Sequence, residues 1–162
     1  MKKIVFTSAL HTEIQEAAIP GYQDNQVLLK IERIGVCGTD IQVFAGRNRY
    51  MQFPVVPFHE GIARVVKAGA DVIHVKAGDR VVIRPIISCG TCYSCRRGYV
   101  NACIHNETMG VQREGAFSDY FTMPVERLFD GAGIDPKELA LVEPFCISYH
   151  GVSRAELKPG NQ

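Results

Sequence analysis

Ser88-Cys89-Gly90-Thr91-Cys92-Tyr93-Ser94-Cys95, followed after seven further residues by Cys103, is the stretch on which the architecture turns. Two-residue gaps let successive thiolates turn onto one ion, and backbone N–H groups in such turns can donate to the sulfurs. Four thiolates suit zinc, which is tetrahedral, borderline-soft and without redox chemistry of its own. With all four positions filled by protein, none is left for water or substrate, so the expected metal is structural. Metal bonds replace a hydrophobic core in such a segment. Residues 88–104 are therefore expected to project as an irregular lobe. The rival readings are disulfides, chance free thiols and an iron–sulfur cluster. Ferredoxin-type runs close with a three-residue gap and Cys-Pro, whereas here seven residues precede Cys103 and Ile104 follows it.

On both sides of this lobe the chain reads as short strands. Residues 27–36, 61–66 and 80–83 are rich in Val, Ile and Leu and are bounded by turn residues such as Pro20-Gly21 and Ala77-Gly78-Asp79. Many short strands between Gly-rich turns predict a mainly β domain, a barrel or a sandwich, with short helices. One helix is expected over 37–45. Another is expected from Asp135, an N-cap with Pro136 in the first helical position, through Leu141. Glu143-Pro144 then breaks this helix or starts another reaching Ala155, and Pro159-Gly160 is a stop.

Composition narrows the function classes. The chain has 162 residues, 46% hydrophobic and 22% charged, with a net charge of +1. That is an ordinary globular balance, with no basic excess to suggest nucleic acid or an acidic membrane surface. No apolar run approaches the roughly 20 residues of a membrane span, and Met1-Lys2-Lys3 leads into a strand rather than a signal peptide. The expected compartment is the cytoplasm, where clustered cysteines favour metal over disulfides.

A second set of ligand types is scattered: Cys37, the pair His59-Glu60, and Glu143. Scattered ligands with an adjacent acid suit a catalytic zinc, which keeps an open position. Buried core residues of the same types would look alike in sequence.

The order of the motifs is more specific than any one of them. Gly35-Val36-Cys37-Gly38-Thr39-Asp40, Pro57-Phe58-His59-Glu60-Gly61, Ala77-Gly78-Asp79-Arg80-Val81, the four cysteines and Glu143-Pro144 follow one another along nearly the whole chain. Together they resemble the zinc-containing medium-chain alcohol and polyol dehydrogenases. The sorbitol dehydrogenase-like branch is nearest, because Glu143-Pro144 stands where alcohol dehydrogenases proper carry a cysteine. The resemblance implies a GroES-like catalytic domain over residues 1–162, a partly open barrel with the zinc lobe projecting. It implies two zinc ions. Cys89, Cys92, Cys95 and Cys103 would hold the structural one. Cys37 and His59, with Glu143 or Glu60, would hold the catalytic one. Thr39, Asp40 and Glu60 would be the catalytic side chains: Thr39 takes the substrate proton, and Asp40 orients His59. The implied reaction is hydride transfer from a zinc-bound alkoxide to NAD or NADP. The substrate would be a small alcohol, polyol or sugar acid, and the full-length parent a homo-oligomer.

Three departures from the family pattern carry expectations of their own. Phe58 stands where glycine is usual and is expected to narrow the pocket. Gln42 stands where a titratable histidine often ends the proton relay. No dinucleotide fingerprint is present: Gly131-Ala132-Gly133-Ile134-Asp135-Pro136 lacks the third glycine and the following βαβ unit. The chain is therefore expected to be a fragment without a Rossmann domain and without cofactor-binding residues, inactive alone. A non-catalytic zinc-binding or interaction module is the alternative. Arg47, Asn48, Arg49 and Tyr50 are either a grip for an anionic substrate or a solvated loop. Arg96-Arg97 are surface charge and Cys146 core, and His150 is either the histidine that this family often carries near the domain junction or a packed structural residue.

Overall fold

A computed structural model describes residues 1–131, 133–156, 158 and 160. Its strands are β1 (Lys2–Ser8), β2 (His11–Glu16), β3 (Gln26–Ile34), β4 (Gly61–Ala68), β5 (Arg80–Ile83), β6 (Ile86–Ile87), β7 (Glu107–Thr108), β8 (Tyr120–Pro124) and β9 (Leu128–Asp130). Its α-helices are α1 (Gly38–Phe44), α2 (Tyr93–Arg96), α3 (Pro136–Leu139) and α4 (Val142–Arg154). A five-stranded antiparallel sheet runs in the order β8-β3-β4-β5-β9, flanked by the hairpin β1-β2 and the short pair β6-β7. The main sheet does not close, so the expected mainly β, partly open architecture is what forms.

Alternation along the strands builds the core. Val27 and Leu29 of β3, Ala63 and Val65 of β4, and Val81 and Ile83 of β5 face one cluster, with Met109, Ala116 and Phe121. Successive side chains point to opposite faces, so Ile62 and Val82 face the other way. Leu139 and Val142 cover them. That contact docks α3 and the start of α4 against the sheet. Each such side chain contributes roughly 1.5–3 kcal/mol when fully buried.

Helix boundaries sharpen the sequence reading. Asp135 caps α3 by accepting the Lys137 N–H at 2.8 Å. The helix stops at Leu139 rather than Leu141, and Glu143-Pro144 lies in the first turn of α4, which ends at Arg154. Pro144 is tolerated there because the first turn has no intrahelical partner for its missing N–H. The expected stop at Pro159-Gly160 involves Pro159, which lies outside the described residues, as does Ala132 of the glycine-rich segment. Gly131 and Gly133 lead into α3, as a turn before a helix should. Among the described residues no helix is long and apolar enough to cross a membrane.

The cysteine segment is irregular, with α2 and one 3₁₀ turn at Val100–Ala102. Residues 88–104 are all described, and only Cys103 among them is buried. At its foot, β6 pairs with β7 through Ile86↔Thr108 and Ile87↔Glu107. The segment thus has a pinched neck and no apolar core.

Candidate functional site

Sheet register builds the site. β3 and β4 are antiparallel, and their ladder ends at Ile34↔Gly61. Gly35 extends it by donating to Glu60 O at 2.7 Å. Cys37, just beyond β3, and His59-Glu60, just before β4, therefore share one end of the sheet. One ligand atom from each of Cys37, His59 and Glu60 lies within 4.8 Å of the other two.

α1 begins at this corner and turns Asp40 inward. Asp40 is 1% exposed. Its Oδ2 accepts the Cys37 N–H at 2.9 Å, and its Oδ1 accepts the Phe58 N–H at 3.2 Å. Oδ1 also lies 3.6 Å from His59 Nδ1. Asp40 thus completes a capping box at the start of its own helix and faces the histidine with the same carboxylate. His59 Nδ1 is buried without a hydrogen-bond partner. Burial works against a charged ring, but Asp40 and the Cys37 sulfur outweigh it and raise the His59 pKa to about 9. The Cys37 thiol and the Glu60 carboxylate converge on this buried imidazole, and the three form a donor set that a divalent zinc ion fits.

A cavity of about 410 Å³ opens onto the cluster. Cys37, Thr39, His59, Glu60 and Glu143 all line it. Glu143 stands outside the tight cluster. Its carboxyl is pushed up by burial and by the Glu60 and Asp40 carboxylates, with His59 opposing. Glu60 is 8% exposed, so it is not a surface acid. Pro144, of the Glu143-Pro144 motif, lines it as well. The rest of the lining was not foreseen: Pro85 and Ile86, Thr108, and Ile147 and Ser148 of α4. These residues carry no motif, and only the β6-β7 register and the docking of α4 bring them here.

Several expectations need correction. Phe58 does not narrow the cavity. Its backbone takes φ 72°, which turns the side chain into the core, where its ring lies 4.7 Å from that of Phe117 and 6.3 Å from that of Phe6. A left-handed backbone explains why glycine suits this position, and ring packing is what holds phenylalanine there. Cys146 is exposed rather than core, and His150 is exposed rather than packed. Both lie on the outward side of α4, where Phe145 and Tyr149 are also exposed. Arg47, Arg49 and Tyr50 are exposed and do not line the cavity. Arg49 stacks over the Tyr50 ring at 4.7 Å, the solvated-loop alternative.

The four lobe cysteines form the second cluster, again with ligand atoms mutually within 4.8 Å. The Cys89 N–H donates to Cys103 Sγ at 3.3 Å, and the Cys92 N–H donates to Cys89 Sγ at 3.4 Å. Backbone N–H groups of Thr91 and Cys92 lower Cys89 to about 5, while burial and the neighbouring thiols push Cys95 up to about 12. Four sulfurs this close cannot all ionise unless a cation offsets their repulsion, and zinc fits that requirement.

The chain belongs to the alcohol dehydrogenase GroES-like domain family, whose pattern matches residues 23–132. It is 39% identical to L-galactonate-5-dehydrogenase of Escherichia coli, over 91% of this chain and 43% of that protein. It is 30% identical to sorbitol dehydrogenase of Bacillus subtilis, over 99% of this chain and 47% of that protein. The fold superposes on a putative zinc-binding dehydrogenase from Sinorhizobium meliloti, bound to NADP, with a TM-score of 0.91 and 32% identity, covering 99% of this chain and 47% of that one. The chain therefore spans less than half the length of these relatives.

Proposed function

We propose that this chain is the metal- and substrate-binding half of a zinc-dependent, NAD(P)-linked dehydrogenase of alcohols, polyols or sugar acids, and that it is inactive alone. The convergence of Cys37, His59 and Glu60 on a cavity that Thr39 and Glu143 also line carries this reading. Cys37 and His59 hold the catalytic zinc with a carboxylate of Glu143 or Glu60. Cys89, Cys92, Cys95 and Cys103 hold the structural zinc in a lobe of residues 88–104, and residues 1–162 form one catalytic domain. The relatives support a polyhydroxylated substrate, since their names specify L-galactonate and sorbitol.

Zinc at the first site would supply Lewis acidity, lowering the pKa of a substrate hydroxyl. The chain's own groups do the rest. Thr39 accepts the hydroxyl proton and passes its own hydroxyl proton on toward water, so it relays the proton without keeping it. Asp40 faces the Nδ1 side of the His59 ring at 3.6 Å, and would orient the ring so that the other nitrogen is the one offered to zinc. Glu60 and Glu143 balance the charge at the cavity floor. A nicotinamide held by a Rossmann domain of a full-length parent would accept the hydride, and that parent would be a cytoplasmic homo-oligomer.

Metal analysis tests this. Two zinc ions per chain are expected, one lost in Cys37→Ser and the other in Cys92→Ser. A single zinc per chain, lost only in Cys92→Ser, would favour a non-catalytic zinc module.

A further inference from the structure

Gly35 and Glu60 touch where no motif would place a contact. Gly35 lies in the connector between β3 and α1, and its N–H is bonded to Glu60 O at 2.7 Å. A Cβ built on Gly35 would land on Glu60 Oε2, with Glu60 Cβ at 3.0 Å and Cδ at 3.4 Å. The backbone itself does not demand glycine, because Gly35 is not among the positive-φ residues. Gly38, three positions on, has open space around it. The requirement at Gly35 is therefore for room, and the group that uses the room is the Glu60 carboxylate.

We propose that Gly35 is a positioning residue: its missing side chain is the seat of the Glu60 carboxylate, and it sets the distance of that carboxylate from Cys37 and His59. The proposal rests on the reading of this cluster as a zinc site. The physical logic is one of shape. Glu60 is buried, so its carboxylate has few places to go. The backbone of β4 fixes the residue on one side, through the Ile34↔Gly61 pair. The empty space above Gly35 admits Oε2 on the other. A methyl group there displaces the far end of a flexible side chain rather than a piece of backbone. Alanine is thus expected to leave the fold standing and to move the carboxylate. Outer positioning groups of this kind change metal affinity by about 10–100-fold when altered.

The test is a double-mutant cycle on the 162-residue chain, read by chelator competition with Zn²⁺ and by the visible absorption of bound Co²⁺. Gly35→Ala should weaken the Cys37–His59 site by about 10-fold or more and shift its Co²⁺ bands. The lobe site should be unchanged. In a Glu60→Ala background, Gly35→Ala should have no further effect, because the carboxylate it displaces is gone. Wild-type affinity and bands in Gly35→Ala would overturn the proposal, as would an equal loss in the Glu60→Ala background. Should Gly35→Ala fail to fold, recovery of folding in Gly35→Ala/Glu60→Ala supports the clash, and continued misfolding overturns it. A wild-type chain that binds metal only in the lobe overturns both this proposal and the zinc reading beneath it. A wild-type chain that binds two ions, with Gly35→Ala indistinguishable from it, overturns this proposal alone.

Discussion

Asp40 Oδ1 stands 3.6 Å from His59 Nδ1, while the same carboxylate accepts the backbone N–H groups of Cys37 and Phe58. One fully buried acid therefore ties the start of α1 to the segment that carries the histidine. Asp40→Ala leaves two N–H groups without their acceptor in a buried corner. It is expected to destabilise the chain by roughly 2–4 kcal/mol. A urea midpoint that does not move would refute the account.

His59 makes the metal-free chain sensitive to alkali. Its pKa is raised to about 9, against an ordinary 6.5. A raised folded-state pKa means that the charged ring is favoured by the fold. The stabilisation is complete below about 6.5 and is lost as pH rises through about 9. Chelator-treated protein should lose stability across that window, and His59→Gln should show a flatter profile. Zinc binding at the same site should release protons near neutral pH, measurable by calorimetry in buffers of different ionisation heat.

Glu32 bridges three strands. Its Oε1 lies 2.7 Å from Arg64 Nη2, and its Oε2 lies 2.5 Å from Arg80 Nε. Without it, two arginines paired across β4 and β5 lose the carboxylate between them, and the Asp135 charge acts only on Arg80. Glu32→Gln should cost about 1 kcal/mol at neutral pH, since the cluster is partly exposed. The Arg80 hydrogen bond leads the causes that hold the Glu32 carboxyl below its usual 4.5. Its stabilisation is thus present above 4.5 and fades as pH falls through the lowered value. The difference between the two proteins should close in acid.

Phe58 trades backbone strain for packing. A left-handed backbone costs an L-residue roughly 1–2 kcal/mol, and removing a buried phenylalanine side chain costs roughly 3–5 kcal/mol. Phe58→Gly should therefore lose about 2 kcal/mol of stability by thermal denaturation. Metal affinity at the Cys37–His59 site should hold, because the ring lies in the core and not along the cavity.

Removing metal from the lobe should disorder 88–103 first, because Cys103 is its only buried residue. Hydrogen exchange after chelation should show fast exchange there, with β3, β4 and β5 still protected. Equal protection before and after chelation would contradict a structural role for the lobe metal.

Local chemistry was legible in the chain itself. The spacing of Cys89, Cys92, Cys95 and Cys103 brings four sulfurs together through turns a few residues long. The runs that became β3, β4 and β5 show their alternation in one dimension, as does the Asp135-Pro136 helix start. The ordered motifs identify the family, and so point to Cys37, His59 and Glu60 from the sequence alone. Tertiary structure alone decided the rest. Whether Glu60 is buried, which way Phe58 turns, which group fills the space above Gly35, and which of Ile86, Thr108 and Ile147 reach the cavity all depend on strand register and helix docking. Those are relations between residues far apart in the chain, and a single side chain carries no local signal of them. The cysteine lobe, read first as a metal knot, is thus the part closest to its sequence, while the cleft exists only once β3 and β4 are in register.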